Sequence, residues 1–348
     1  LRILLVMGAG GEGGAETFFT QLTLALHRAG VETQAVIGPN ENRFSTLRSN
    51  GIETLELPFR QVLDFKTKPG LKARIKQYHP DVVLTFMNRA SKLCPKGDFL
   101  HVARLGGYYK LKNYKKCDHL IGNTKDIVRY LEQAGWPEDR VHHVPNFASV
   151  DRDAFPVSRA ELDTPEDVPL IVSLGRLHEN KAFDILLRAA TLETRPFIWI
   201  AGEGPLRTEL EQMAEALGVA QRVRFLGWRN DRGALLAAAD FCVFPSRFEP
   251  FGSVMIEAWA MKCPLITTRT AGALEMATAD KDALIVPIDD ADAMAAAMTR
   301  LIDEKGLPED LVKAGWESYE KGYTEEVCVQ NYIDLFTRLM AEREQVFR

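Results

Sequence analysis

The sequence predicts an α/β protein made of two doubly wound domains in tandem. Three observations carry this. The chain has 348 residues, more than one hydrophobic core usually holds. Short apolar runs that end in glycine-rich or polar turns alternate with helical periodicities through both halves, the pattern of strand-helix units around a parallel sheet. Between the halves, ASVDRDAFPVSRAELDTPEDV is polar, rich in acids and proline, and has no sustained period, as expected of an interdomain linker. The expected bounds are 1–150 for the first domain, 151–168 for the linker, 169–325 for the second domain and 326–348 for a final helix.

Composition narrows the class. No apolar run approaches the ~18 residues of a membrane span, and the opening LRILLVMGAGG is too short for a signal peptide and suits a buried first strand. Cys94, Cys117, Cys242, Cys263 and Cys328 are an odd number without a C-x-x-C pair, which fits free thiols in a reducing cytoplasm and argues against a zinc site. Charge is uneven. Residues 1–160 carry 23 Lys and Arg against 16 Asp and Glu (net +7), leaving 20 against 32 (net −12) for the remainder. A basic first half suggests an anionic partner, a phosphorylated substrate or a membrane surface.

In the first half, RILLVM (Arg2 to Met7) is a strand, followed by glycines and by AETFFTQLTLALHRAG, a helix that Gly30 stops. Gly8, Gly10 and Gly13 match G-x-G-x-x-G, but the next strand, TQAVIG, runs into Gly38-Pro39-Asn40 without the carboxylate that binds a dinucleotide ribose. Gly13 and Gly14 are therefore read as a loop that lets backbone approach a ligand. Strands follow at Ile52 to Leu57, Asp81 to Phe86, His101 to Gly106 and His119 to Asn123, then a helix from Thr124 to Gly135. Two segments, KTKPGLKARIK (Lys66 to Lys76) and RLGGYYKLKNYKK (Arg104 to Lys116), interleave cations with Tyr108, Tyr109 and Tyr114. They read either as solvated surface or as an anionic acceptor site or membrane footprint.

The second half repeats the alternation. PLIVSLGRL is a strand ending in Gly-Arg, and HENKAFDILLRAA begins a helix with Lys181 in its first turn. FIWIAGEGP, VRFLGW, DFCVFPS, PLITTRTAGALEM and ALIVPID supply further strands, and YTEEVCVQNYIDLFTRLMAER ends the chain as an amphipathic helix.

The stretch FEPFGSVMIEAWA concentrates the chemistry. Glu249 and Glu257 flank a turn that opens an apolar helix, and the free N–H groups of such a helix start can hold an anion or a hydroxyl-rich ligand. The bland alternative makes Glu257 a helix-dipole partner and Glu249 a solvated charge. Arg176 and Lys181 follow the strand before them and together suit a diphosphate, Arg as a planar fork and Lys as a point charge. Their alternative is a surface ion pair with Glu179 or Asp184. With Glu257 placed to accept from ribose hydroxyls, the set describes a nucleotide diphosphate site.

GRLHENK, IAGEGP, RFLGW, FPSRFEPFGSVMIEAWAMKCPLI, AGALE and ALIVPID, taken in order, resemble the retaining family 4 glycosyltransferases of the GT-B fold, a class that includes bacterial lipopolysaccharide-core and capsule enzymes. Glu249 to Glu257 reproduces that family's Glu, seven residues, Glu signature, and Gly13-Gly14 and VPNF match on the N-terminal side. The resemblance implies two Rossmann-like domains facing a central cleft, the first binding the acceptor and the second the nucleotide-sugar donor, with the last helix crossing back to the first. It implies transfer of a hexose from a nucleotide diphosphate sugar, a UDP-sugar, to a glycolipid or polysaccharide acceptor, with retention of configuration and without a metal or resident cofactor. The same fold also hosts nucleotide-sugar epimerases and non-catalytic nucleotide-sugar-binding relatives, which are the alternatives.

Carried over to this sequence, the resemblance assigns catalytic roles to Arg176, Lys181 and Glu249. It assigns donor binding to Gly13, Gly14, Gly227, Phe251, Gly252, Ser253 and Glu257. Acceptor contacts are expected from Arg104, Tyr108, Tyr109 and Lys110, with no nucleic acid as partner, and the expected location is the cytoplasm, at the inner face of the membrane. The sequence departs from the family's pattern in three places, one of them the DKDA turn, which lacks the Gly usual before the late ALIVP strand. Leu105-Gly106-Gly107 stands where many members carry a His, so that His101 reads as structural and Arg104 as the residue that could take part. Ala182 replaces the Gly that usually follows the clamp Lys.

Overall fold

The computed structural model describes residues 1–11, 13–60 and 63–346. The chain divides into two compact units, one formed by residues 1–146 together with the chain from Glu325 onward, the other by Phe147–Thr324.

The first unit is a seven-stranded parallel sheet in the order β3-β2-β1-β4-β5-β6-β7. Its strands are β1 (Arg2–Met7), β2 (Glu32–Ile37), β3 (Glu53–Glu56), β4 (Val82–Phe86), β5 (Leu100–Leu105), β6 (His119–Gly122) and β7 (Val141–His143). The helices between them are α1 (Gly14–Arg28), α2 (Glu41–Ser49), α3 (Thr67–Tyr78), α4 (Met87–Leu93) and α5 (Lys125–Gln133). Central strands β1, β4 and β5 are buried along almost their whole length. This is why they read as continuous apolar runs rather than alternating ones: helices cover both faces of a parallel sheet.

The second unit is a six-stranded parallel sheet in the order β10-β9-β8-β11-β12-β13. It contains β8 (Leu170–Leu174), α6 (Phe183–Leu192), β9 (Phe197–Ala201), α7 (Arg207–Ala216), β10 (Val223–Gly227), α8 (Arg232–Ala238) and β11 (Phe241–Phe244). These are followed by α9 (Ser253–Ala260), β12 (Leu265–Thr268), α10 (Ala271–Met276), β13 (Leu284–Val286), α11 (Ala291–Asp303) and α12 (Leu307–Gly322). One apolar cluster joins α6, α7 and α11 to one face of the sheet, and a second packs α8, α9 and α12 on the other.

The last helix, α13 (Glu325–Val346), belongs to the first unit. Arg28 on α1 pairs with Glu325 at 2.6 Å, the Cys328 thiol donates to the Pro145 carbonyl at 3.0 Å, and Arg343 reaches Asp98 at 2.8 Å. The segment expected as a linker is built into the second unit. Val157 N–H donates to Ala234 C=O, the Trp199 indole to Thr164 Oγ1 at 2.9 Å, and Arg224 to the carbonyls of Leu162 and Asp163. Arg159 fastens it further to Val168, Ala238 and Asp240. Among the described residues no helix is long and apolar enough to cross a membrane.

In both sheets the strand order reverses once, between β1 and β4 and between β8 and β11. Ligands of open parallel sheets bind beyond the carboxyl ends of the strands at such a reversal.

Candidate active site

At the reversal in the second unit, the chain leaves β8 through Gly175, Arg176 and Leu177 against the Gly202–Gly204 turn that leaves β9. Gly175 N–H donates to Ala201 C=O at 3.0 Å, Leu177 N–H to Glu203 C=O at 3.0 Å, and Leu206 N–H to Leu177 C=O at 3.1 Å. A Cβ on Gly202 would stand 1.8 Å from the Gly175 carbonyl oxygen, and one on Gly204 would stand 2.3 Å from that of Leu177. Glycine is required here because two backbones touch. Arg176 lies on this locked turn with its side chain exposed, and among the described residues it pairs with no carboxylate.

Lys181 comes next, immediately before Ala182, whose φ of 51° is left-handed. The position where the resemblance expects glycine is thus one where an L-residue is strained. The Lys181 ammonium is ion-paired with the Glu249 carboxylate and stands 4.8 Å from the centre of the Phe244 ring. Neither suspected surface partner takes it. Asp184 is held instead by Arg247, at 2.9 and 2.6 Å, and Arg247 also donates to Glu179 C=O at 2.9 Å and to Asp289 at 2.5 Å. Arg247 N–H donates to Asn180 C=O at 2.8 Å, so the turn after β11 is fastened to the turn after β8, and this brings Glu249 to Lys181.

Glu249 also accepts from Gly252 N–H at 3.2 Å. Gly252 caps α9 with a φ of 86°, and a Cβ there would crowd Met255, Glu249 and Phe244 at 3.1–3.3 Å. Met255 N–H is used by Gly252 C=O. The N–H groups of Ser253 and Val254 have no acceptor among the described residues, and Ser253 is exposed. Phe251 turns its ring into the core, 6.4 Å from that of Tyr323, so only its backbone faces the turn.

One turn into α9, Glu257 is 2% exposed. Arg232, the first residue of α8, donates through Nη1 to both of its carboxylate oxygens, at 2.7 and 3.0 Å. Burial pushes the Glu257 carboxyl up to about 7, against the opposing pull of Arg232. Gly227 ends β10 with a φ of 70°, and a Cβ there would meet the Glu203 carboxylate at 3.0 Å. Arg207 holds that carboxylate at 3.0 Å and the Phe225 carbonyl at 3.0 Å.

The remaining expected residues lie in the first unit. Gly13 is the N-cap of α1 and Gly14 its first residue; a Cβ on Gly14 would meet nothing within 4 Å. The preceding loop is propped by Arg43, which donates to Ala9 C=O at 3.0 Å and Gly11 C=O at 2.9 Å, and by Asn40, which donates to Gly10 C=O at 3.0 Å. Arg104, expected at an acceptor surface, is 2% exposed. Its guanidinium lies 4.8 Å from the Phe18 ring and 5.7 Å from that of Phe86, and donates to Asn146 Oδ1. Tyr108 donates to Asp126, Tyr109 is half-buried and accepts at its carbonyl from Tyr130 at 3.0 Å, and Lys110 is exposed. His101 is buried against Thr85, at 3.1 Å, and the Lys116 carbonyl, at 3.3 Å, and burial holds it down at about 4.

Sequence reasoning did not single out Arg232, Arg247 or Arg43. Each acts on a partner that lies 25 to 63 positions away in sequence, and no local spacing announces such a pair.

Two parallel-sheet, Rossmann-like units whose second carries this array after β8 and β11 define a glycosyltransferase of the GT-B fold. The chain belongs to the family 4 glycosyltransferases. The family model "Glycosyltransferase Family 4" matches residues 12–152 and "Glycosyl transferases group 1" matches residues 168–304. Among its relatives is the lipopolysaccharide core biosynthesis glycosyltransferase LpsD of Rhizobium meliloti, 36% identical over 96% of this chain and 98% of the relative. LpsE of the same organism, also a lipopolysaccharide core biosynthesis glycosyltransferase, is 33% identical over 94% and 96%. In fold, the chain is similar to a glycosyltransferase from Rickettsia africae (TM-score 0.85, 19% identity, 97% of this chain and 98% of that one). It is likewise similar to Anabaena HepE in complex with UDP and glucose (TM-score 0.82, 18% identity, 97% and 99%).

Proposed function

We propose that this chain transfers a hexose, with retention of configuration and without a metal ion, from a UDP-sugar to a glycolipid or oligosaccharide acceptor of the lipopolysaccharide core. The observation that carries the reading is the Lys181–Glu249 pair under the N–H of Gly252 at the sheet reversal of the second unit. Two long-range full-length relatives named for lipopolysaccharide core biosynthesis support the pathway, and a structural neighbour that holds UDP and glucose supports the donor.

In this reading Glu257 accepts from ribose hydroxyls and Glu249 from hydroxyls of the donor sugar, while Phe251 and Gly252 contribute backbone N–H groups. Arg176 and Lys181 face the diphosphate. As the bond between the sugar C1 and the phosphate oxygen breaks, they stabilise the charge that gathers on the leaving group, the task a divalent cation performs elsewhere. The acceptor oxygen attacks C1 from the same face, and its proton passes to the departing phosphate oxygen. The chain then supplies position and electrostatic stabilisation rather than a strong base. An acceptor of this kind is lipid-borne, which places the enzyme at the inner face of the cytoplasmic membrane.

The test is a thermal-shift panel of UDP-, GDP- and ADP-sugars, followed by NMR of the product formed with the best ligand. A rise in melting temperature with a UDP-sugar and an α-linked product from an α-linked donor are expected. Stabilisation by none of the panel overturns the donor assignment, and an inverted anomer overturns retention.

A further inference from the structure

The glycine-rich loop that leaves β1 at the strand reversal of the first unit has a fastened part and an open part. The fastened part lies against the turn after β2. A Cβ on Gly10 would stand 2.7 Å from the Pro39 carbonyl oxygen, and one on Gly38 would stand 3.0 Å from that of Gly8. Three successive carbonyls of the loop are then held by the first turn of α2 and its cap. Arg43 donates through Nη1 to Ala9 C=O at 3.0 Å and through Nη2 to Gly11 C=O at 2.9 Å, and Asn40 Nδ2 donates to Gly10 C=O at 3.0 Å. The open part is the head of α1. Gly14 is exposed, a Cβ on it would meet nothing within 4 Å, and the N–H groups of Gly14 and Ala15 have no acceptor among the described residues. Glu16 lies over Gly13, where a Cβ would meet its carboxylate at 2.9 Å, so the clear approach is at Gly14.

The fold itself does not require the three carbonyl bonds. Ala9 is half-buried and Gly10 and Gly11 are exposed, so water can satisfy these carbonyls. Arg43, by contrast, is placed at a cost. It is 6% exposed, and enclosing a guanidinium is unfavourable unless hydrogen bonds compensate it. It also stands in the first turn of α2, the positive end of a helix, where a cation is disfavoured. A methionine would fill the space with neither penalty. What the arginine adds is direction: a held carbonyl fixes its whole peptide plane, and three fixed planes in a row remove the freedom that glycine brings to a loop.

We propose that Arg43 is a positioning residue for the transfer reaction. With Asn40 it freezes the glycine loop, so that the head of α1 presents its N–H groups to the departing diphosphate without rearranging as charge develops there. Arg43 acts through the backbone and touches no ligand. The inference rests on the proposed reaction and on the donor role expected of Gly13 and Gly14, and it adds the side chain that makes their loop rigid.

The experiment compares the full-length wild type with Arg43→Met, Arg43→Lys and Asn40→Asp by steady-state kinetics, melting temperature and titration calorimetry with UDP and UMP. Arg43→Met should lower kcat on the order of 10²-fold, the scale of a small misplacement at a reacting centre, with the acceptor KM unchanged. Its affinity for UDP should fall roughly tenfold, the worth of one hydrogen bond to a charged group, while its affinity for UMP, which lacks the phosphate next to the sugar, stays at the wild-type value. Arg43→Lys should regain part of both losses. Asn40→Asp keeps a good cap on α2 and removes only the donor to Gly10, so its melting temperature should match the wild type while turnover drops several-fold; it decides the matter if Arg43→Met folds poorly. Wild-type turnover in Arg43→Met or in Asn40→Asp overturns the proposal. Equal losses of UDP and UMP affinity in Arg43→Met, together with a lowered melting temperature, overturn it too, because they would make Arg43 a support of the fold alone. A wild type that turns over no nucleotide sugar overturns the proposed reaction and the role of Arg43 in it, whereas an active wild type matched by its variants overturns only the latter.

Discussion

One nitrogen of Arg232 serves both oxygens of the Glu257 carboxylate, at 2.7 and 3.0 Å. The pair is unequal in its surroundings, since the Glu257 side chain is 3% exposed and that of Arg232 32%. The acid is enclosed and the base is wet.

This inequality sets the pH dependence of Glu257. Its carboxyl titrates near 7 in the folded chain because it is buried, against about 4.3 in an unfolded one. Below pH ~4 it is neutral in both states and the burial costs little. As pH rises from there to about 7 the unfolded chain ionises first, and stability is lost, on the order of 3 kcal/mol in all by pH 8. The Cys242 thiol on β11, which Glu257 affects, is pushed up by burial and stays neutral over this range. Glu257→Gln should therefore melt several degrees above the wild type at pH 8 and level with it near pH 4, while losing UDP affinity. Calorimetry showing a lower melting temperature for the variant at pH 8 would contradict the burial argument.

Arg232 opposes the burial and favours the ionised form of the same carboxyl. Arg232→Met should weaken UDP binding more at pH 7 than at pH 9, whereas Arg232→Lys should keep most of the wild-type profile. Titration calorimetry at the two pH values decides this. Parallel losses at both would reduce Arg232 to a packing role.

For Lys181→Ala, turnover should fall by roughly 10²-fold or more, the scale for losing one preorganised group opposite developing charge. Steady-state kinetics on the true donor and acceptor measure it. Turnover equal to wild type would remove Lys181 from the leaving-group role.

Glycine positions separate folding from ligand access. Gly202→Ala collides with backbone at 1.8 Å and should yield little folded protein. Gly14→Ala meets no atom within 4 Å, so its melting temperature should stay within a degree or two of wild type while its turnover drops, as expected where a ligand takes the space. Unchanged turnover in Gly14→Ala would show that nothing approaches there.

The charge proposed for Arg176 and Lys181 leads to a fifth expectation, that activity survives dialysis against EDTA. Loss that Mg²⁺ restores would assign the diphosphate to a metal instead.

Much of this was legible in the chain. Buried parallel strands leave continuous apolar runs, and the turns after β8 and β11 announce themselves through glycines and a helix start. Three things were not legible. The polar composition of residues 151–168 suggests a free linker, yet it packs through backbone carbonyls that composition does not display. The tract after ALIVPID conceals α11 and α12, whose apolar positions cover one sheet. Arg104 looked like surface chemistry beside two tyrosines. Its strand is buried on both faces, so that its charge rests on aromatic rings and an amide.

The Lys181–Glu249 contact also bears on the empty enzyme. A lysine already holding a carboxylate is self-neutralised, so an entering diphosphate replaces one anion with another, and only the difference between the two favours binding. In the proposed reaction, Glu249 would have no hydroxyl to hold once the sugar had left and would compete again for the ammonium. On that reading, the carboxylate that helps seat the donor would also help eject the spent nucleotide.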